Sequence, residues 1–252
     1  AAPQAEIIDG SPIVEGLRLK KDTQELAKMR EAALIAQKAL VETLKHIHPG
    51  MSEKQIAAEL VIALYQAGSD IELPFEPIVS SGPNTANPHA TPSERLLQEG
   101  DLLLFDWGAG KDGYFSDITR TFTVGEVEPE LQHIGEIVLA ANTKGREMTA
   151  AGMPAGAVDQ VVRAVIEAGG YGPYFTHRTG HGLGMEAHES PYIFGANPQL
   201  LEPGMVFTIE PGIYLPGRGG VRIEDDVVVT ESGVRSLTDL PRAVVPYNTP
   251  FD

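Results

Sequence analysis

The sequence predicts an α+β fold made of two like halves, on three observations. The first is a repeated spacing: Gly100 is followed by Asp106 and Gly108 at the same offsets at which Gly204 is followed by Glu210 and Gly212. Each copy then returns a second carboxylate, Asp117 four residues after Gly113 and Glu224 four residues after Gly220. The second is that an apolar run precedes the first acid of each copy, LLLF before Asp106 and MVFTI before Glu210, as in a buried strand. The third is that two segments of helical spacing and a loop precede each acid-bearing hairpin, an order that points to a pseudo-two-fold axis.

The elements follow in chain order. Residues 1–16, AAPQAEIIDGSPIVEG, show no clear periodicity and read as a linker or terminal tail, leaving residues 17–252 as one domain. Asp22 and Glu25 form a capping-box signal, after which Leu26, Met29, Ala33, Leu40, Leu44 and Ile47 recur at helical spacing up to Pro49-Gly50. A second box, Ser52 with Gln55, opens a helix expected to close at Gly68. An extended segment at Pro77 to Ser81 and a loop rich in Pro, Asn and Thr lead to the first hairpin, from about Leu102 to Thr123. The second half repeats this with helices marked by Leu131 to Met148 and by Val158 to Ile166, a glycine-rich loop, and a hairpin from about Met205 to Val229.

Asp112-Gly113 is a hairpin turn pair. A register in which Asp106 faces Asp117, and Glu210 faces Glu224 across Gly217, would set opposed side chains about 5 Å apart. Like charges that close are unfavourable unless a cation lies between them. Trp107, next to Asp106 on a strand, points to the opposite face and belongs to the core by alternation.

Composition narrows the function classes. The chain has 252 residues, 42% of them apolar, and carries a net charge of −16 from 19 basic and 35 acidic residues. That balance disfavours nucleic acid and anionic membranes as partners. No apolar run is long enough to span a bilayer, and the absence of cysteine removes disulfides and thiolate ligands, so a cytoplasmic setting is favoured over export.

Four carboxylates on two hairpins call for a cation, and the string HRTGHGLGMEAHE from His177 supplies nitrogen donors between the hairpins. Gly180, Gly182 and Gly184 argue against a helical two-histidine site, so His181 is read as a single ligand on a close-packed loop. Four carboxylates and one imidazole suit two divalent metal ions, Mn or Co first, with Zn or Fe accepting the same donors.

The segments FDWGAGKDGYFSDITRTFTVG, HRTGHGLGMEAHESP, GMVFTIEPGIY and GVRIEDDVVVT resemble the signature segments of the pita-bread metallopeptidases, which include Xaa-Pro dipeptidase (prolidase), aminopeptidase P and methionine aminopeptidase. The resemblance extends from about Leu17 to Leu237. It implies the pita-bread fold, with Asp106 and Asp117 on one metal, His181 and Glu210 on the other, and Asp117 and Glu224 bridging. It further implies Glu210 as the base for a metal-bridging hydroxide, His89 (in NPHATPS) and His188 as catalytic histidines at the tetrahedral intermediate, and His177 and Arg222 as substrate-site residues. Fourteen residues separate Glu210 from Glu224, within PGIYLPGRGGVRIEDD, and this resembles the proline-specific branch. The implied activity is cleavage of Xaa-Pro bonds at the free amino terminus of short peptides with proline second. Methionine aminopeptidase and a non-catalytic binding relative stand as alternatives. LRLKKDTQELAKMREA resembles the segment that follows a preceding domain in the proline-specific members, where that domain helps build a homodimer, and the expectation is that this chain corresponds to the catalytic domain alone. Tyr114, Thr119 and Arg120 flank the first ligand hairpin and are expected to support it. His46, His48 and His133 receive no role.

Overall fold

A computed structural model describes residues 4, 5 and 8–250. Helix α1 (Ser11–Leu19) is followed by α2 (Thr23–Leu44), α3 (Glu53–Ala67), and the strands β1 (Ile78–Ser81), β2 (Leu102–Trp107), β3 (Gly110–Lys111), β4 (Tyr114–Phe115) and β5 (Ile118–Thr123). The second half contributes α4 (Pro129–Met148), α5 (Ala155–Ala168), β6 (Gly180–Gly182), β7 (Glu189–Ile193), β8 (Val206–Ile209), β9 (Gly212–Leu215), β10 (Gly219–Arg222), β11 (Asp225–Thr230) and β12 (Gly233–Ser236). The order of two helices and a long hairpin occurs twice, as the spacing predicts. No helix among the described residues is long and apolar enough to cross a membrane.

Local chemistry explains most boundaries. The Asp22 side chain accepts from Gln24 and Glu25 N–H while Glu25 bonds back to the Asp22 N–H, and Ser52 with Gln55 does the same for α3, so both helices start where orphan donors are satisfied. Helix α3 stops at Gly68, which takes the left-handed conformation. Helix α2 ends at Leu44, short of the Pro49 stop, and Ile47 is buried from a turn beyond the helix. Helix α1 lies partly within the expected tail. Its apolar residues Ile13, Val14 and Leu17 are exposed, so the core imposes no pattern on it.

Each helix pair covers one face of its own hairpin. Ala36, Leu40, Ile56, Leu60 and Leu64 of α2 and α3 pack on Phe105, Trp107, Ile118 and Phe122. Ile134, Val138, Val158 and Val162 of α4 and α5 pack on Phe207, Ile209, Ile213 and Val221. Trp107 is fully buried and donates its indole N–H to the Ala36 carbonyl at 2.9 Å. Because side chains alternate along a strand, a helix-facing Phe105 and Trp107 turn Asp106 to the other face, and a helix-facing Ile209 does the same for Glu210.

The glycine-rich segment carrying His181 is a strand, β6, rather than the expected loop, and it lies inside a five-stranded sheet of order β12-β11-β8-β6-β7. Glycine permits this by close approach: a Cβ on Gly180 would stand 1.8 Å from the Thr208 carbonyl oxygen, and one on Gly182 would stand 2.2 Å from that of Ser190. The register of the first hairpin also differs from the expectation. Lys111 pairs with Tyr114, leaving Asp112 and Gly113 at φ 48° and 78° as a two-residue turn, and this sets Asp106 opposite Thr119 rather than Asp117. In the second hairpin Gly212 pairs with Arg222 and Ile209 with Asp225, so Glu210 stands opposite Glu224 as expected.

Candidate metal centre

The two hairpins meet at a single antiparallel bridge between Thr119 and Glu224. It aligns Asp106, Thr119, Glu224 and Glu210 as one lateral series across four strand segments. Two residues along lies a parallel series: the Asp117 N–H donates to Asp226 Oδ2 at 3.0 Å, Asp226 pairs with Thr208, and the His181 N–H donates to Thr208 Oγ1 at 3.1 Å. A shift of two residues keeps side chains on the same face. The strand pattern thereby gathers Asp106, Asp117, His181, Glu210 and Glu224 on the face away from the helices.

Donors from the protein hold individual oxygens. Thr119 Oγ1 donates to Glu224 Oε2 at 2.6 Å, and Thr208 Oγ1 contacts Glu210 Oε1 at 3.1 Å. Arg222 Nη2 pairs with Asp106 Oδ2 at 2.5 Å, its Nε donates to Thr119 Oγ1 at 3.0 Å, and its Nη1 donates to the Tyr214 hydroxyl at 3.0 Å. That hydroxyl is 2.8 Å from His177 Nε2, and His177 Nδ1 donates to the Arg178 carbonyl at 2.8 Å. Nε2 is then the acceptor, and Arg222, Tyr214 and His177 form one directed chain. On the helix side, Asp225 accepts from Arg120, Arg242, Thr238 and Asn142. Burial would raise its carboxyl, but Arg120 and Arg242 outweigh burial and hold it below the usual range.

On the site face Arg222 pairs with Asp106, and no lysine or arginine among the described residues pairs with Asp117, Glu210 or Glu224. Burial, reinforced by neighbouring carboxylates, raises Asp117 and Glu224 well above the usual range. Burial raises Asp106 against the pull of Arg222, and raises Glu210 to about 7. Burial lowers His181 to about 3 and His177 to about 4.

These residues fit a metal ion. His181 Nδ1 faces the Gly182 carbonyl at 3.1 Å and so carries the ring proton, which leaves a lone pair on Nε2. That nitrogen is 3.6 Å from Asp117 Oδ2 and 3.4 Å from Glu210 Oε1, beyond hydrogen-bond range and with no proton to share. A lone pair aimed at two carboxylates is repulsive unless a cation lies between them. Oδ1 of Asp106, Asp117 and Asp226 are buried with no hydrogen-bond partner, the condition a metal or an ordered water relieves. Asp117, His181 and Glu224 each offer a donor atom within 4.8 Å of the others.

A cavity of about 560 Å³ opens over this face, and all nine residues singled out from the sequence line it: the five candidate ligands with His89, His177, His188 and Arg222. The His188 ring lies 4.1 Å from that of His181. His89 is exposed, and its ring has no hydrogen-bond partner among the described residues. The sequence reading missed Phe75, Ile78 and Arg178, which also line the cavity. It missed Tyr214, Thr208 and Asp226 as supports. Asp226 was legible by alternation, since a helix-facing Asp225 turns its neighbour toward the site. Arg178 stacks over the Tyr192 ring at 4.7 Å and forms no ion pair among the described residues.

The sequence and fold are similar to those of known peptidases. An Xaa-Pro dipeptidase from Pyrococcus furiosus is 40% identical over 92% of this chain and 67% of its own length. Among solved structures, the Xaa-Pro dipeptidase from Bacillus anthracis superposes with a TM-score of 0.94 at 43% identity, covering 96% of this chain and 68% of that one. The X-Pro aminopeptidase from Thermotoga maritima gives 0.90 at 40% identity, covering 93% and 66%. The chain thus spans about two thirds of each relative, with the pita-bread fold that the sequence predicts. The profile of metallopeptidase family M24 matches residues 27–231, the span that holds every candidate ligand, and the chain belongs to that family.

Proposed function

We propose that the protein is a two-metal exopeptidase that hydrolyses the Xaa-Pro bond at the free amino terminus of short peptides. The observation that carries this reading is the buried Asp117–His181–Glu224 group, flanked by Asp106 and Glu210 under a peptide-sized cavity, in a chain whose relatives include Xaa-Pro dipeptidases. Asp106 and Asp117 would hold one divalent ion and His181 and Glu210 the other, with Asp117 and Glu224 shared; Mn and Co are the first candidates, then Zn and Fe. Such ions supply an activated water at neutral pH and polarise the scissile carbonyl.

The chain's own groups do the rest. Glu210 faces the cavity beside His181 and accepts the proton released as water attacks. His89 and His188, on the cavity wall, donate hydrogen bonds to the carbonyl oxygen as it gains charge and pass a proton to the departing proline nitrogen. The Xaa-Pro amide has no N–H, so recognition must come from ring contacts and from the peptide's ends. Phe75, Ile78 and His177 provide apolar and aromatic wall for the ring. Arg222 acts through Asp106 and Tyr214, which already engage its donors.

The test is an assay of the Mn- or Co-loaded protein on an Xaa-Pro dipeptide, an Xaa-Pro-Yaa tripeptide and a Met-Ala-Ser peptide. Cleavage of the proline peptides is expected. Cleavage of Met-Ala-Ser alone would assign a methionine aminopeptidase, and metal uptake with no hydrolysis of any of the three would assign a binding relative.

A further inference from the structure

Glu53 begins α3 and is fully buried, yet no Lys, Arg or His pairs with it among the described residues. A buried carboxylate is tolerated only when donors replace its water. Here Oε1 accepts from the Ser81 N–H at 2.7 Å, the Ser81 hydroxyl at 2.8 Å and Asn84 Nδ2 at 3.0 Å. Oε2 accepts from the Ser93 N–H at 3.0 Å, the Ser93 hydroxyl at 2.6 Å and Asn84 Nδ2 at 3.1 Å. Its place in the first turn of α3 adds the favourable end of the helix dipole.

Every one of those donors belongs to a single loop. Ser81 ends β1 at one stem, Ser93 lies at the other, and His89 projects from the span between them. The bonding continues inward. The Asn84 carbonyl accepts from the Asn87 N–H at 3.0 Å, and the Asn87 side chain accepts from the His89 N–H at 3.1 Å. With no partner for its ring, His89 is placed by its backbone alone.

We propose that Glu53 is a positioning residue for His89: one carboxylate clamps both stems of loop 82–92 and, through Asn84 and Asn87, fixes where the imidazole stands over the metal centre. The proposal rests on the role given to His89 above. The charge and both oxygens matter. Glutamine at this position would turn an N–H toward either the Ser81 or the Ser93 N–H, donor against donor, and release one stem.

The experiment compares wild type, Glu53→Gln, His89→Ala and the double variant, all metal-loaded, by steady-state kinetics on an Xaa-Pro dipeptide, with metal content and amide hydrogen exchange measured on each. Glu53→Gln is expected to lower kcat by about 10²-fold, the cost of a catalytic group displaced by ~1 Å, with metal content unchanged. In the His89→Ala background it should change kcat by less than about twofold, since the group it positions is gone. Exchange should rise in segment 82–93 and stay unchanged in the hairpins. Full additivity of the two kcat losses, or unchanged exchange in 82–93, overturns the proposal. If Glu53→Gln does not fold, Ser93→Ala enters the same cycle, because it keeps the carboxylate and removes one stem's hydroxyl donor. If His89→Ala alone leaves kcat intact, the role given to His89 is what fails, and the exchange measurement alone decides whether Glu53 holds the loop.

Discussion

Replacing Thr119 with Val removes one hydroxyl at the join between the two hairpins and changes little else in shape. Thr119 is fully buried; its Oγ1 donates to Glu224 Oε2 at 2.6 Å and accepts from Arg222 Nε at 3.0 Å. The variant leaves a buried carboxylate oxygen and a buried guanidinium N–H without partners, at roughly 1–3 kcal/mol each. If Glu224 is a metal ligand, loss of the hydrogen bond that orients it weakens metal binding by about 10- to 100-fold. Thr121→Val is the matched control, because Thr121 Oγ1 donates to the Arg222 carbonyl at 3.0 Å and accepts from its N–H at 3.2 Å without touching a candidate ligand. Both variants should lower the urea midpoint. Only Thr119→Val should weaken Mn binding in competition against a chelating dye, and Thr119→Ser should restore it. Equal metal affinity in Thr119→Val and Thr121→Val would refute the assignment of Glu224 as a ligand oriented by this hydroxyl.

Gly180→Ala should destabilise the protein by at least about 1–3 kcal/mol in urea unfolding, because the new Cβ would lie 1.8 Å from the Thr208 carbonyl oxygen and force β6 from β8; an unchanged midpoint would remove the close-approach account of that glycine. The Tyr114 hydroxyl donates to Glu25 at 2.6 Å, and this bond, with burial, raises the phenol from 10.0 to about 12. The folded chain then keeps a proton that the unfolded chain loses first, so this contribution is intact below the unfolded pKa and lost as pH rises toward about 12; Tyr114→Phe should flatten stability over that interval in alkaline unfolding. Arg178 lines the cavity with no ion-pair partner among the described residues, so Arg178→Gln should raise KM for an Xaa-Pro dipeptide by about tenfold or more, and far less for its C-terminal amide; equal changes on the two would rule out a contact with the free carboxylate.

What could be read from the sequence was what local chemistry decides. The caps at Asp22 and Ser52, the stop at Gly68 and the turn at Asp112-Gly113 each rest on hydrogen bonds or backbone angles within a few residues. The core face followed from alternation around Trp107. Strand β6 was hidden because its identity depends on Thr208, distant in sequence, and on Ser190 of the neighbouring strand coming close enough to exclude a side chain. The register of the first hairpin differs by two residues from one in which Asp106 faces Asp117, because the Asp112-Gly113 turn sets it. Phe75, Ile78 and Arg178 reach the cavity from segments with no periodic signal, and only the folded chain brings them there.

That displaced register changes how the site is built. Had the first hairpin also faced acid to acid, as the second does at Glu210 and Glu224, each half would have held its own repelling pair. Instead Asp106 faces Thr119, and Thr119 faces Glu224 across the bridge between the halves, so a neutral hydroxyl separates two carboxylates in the lateral series. Asp117 is displaced along its strand, where its N–H meets Asp226 of the other half. Every candidate bridging contact therefore crosses the seam: Asp117 reaches toward His181, and Glu224 is oriented by Thr119. Neither half alone can assemble the ligand set, and a metal bound there favours only the state in which both sheets are docked. Metal binding is then part of what joins the halves, because affinity for the docked state is stabilisation of that state.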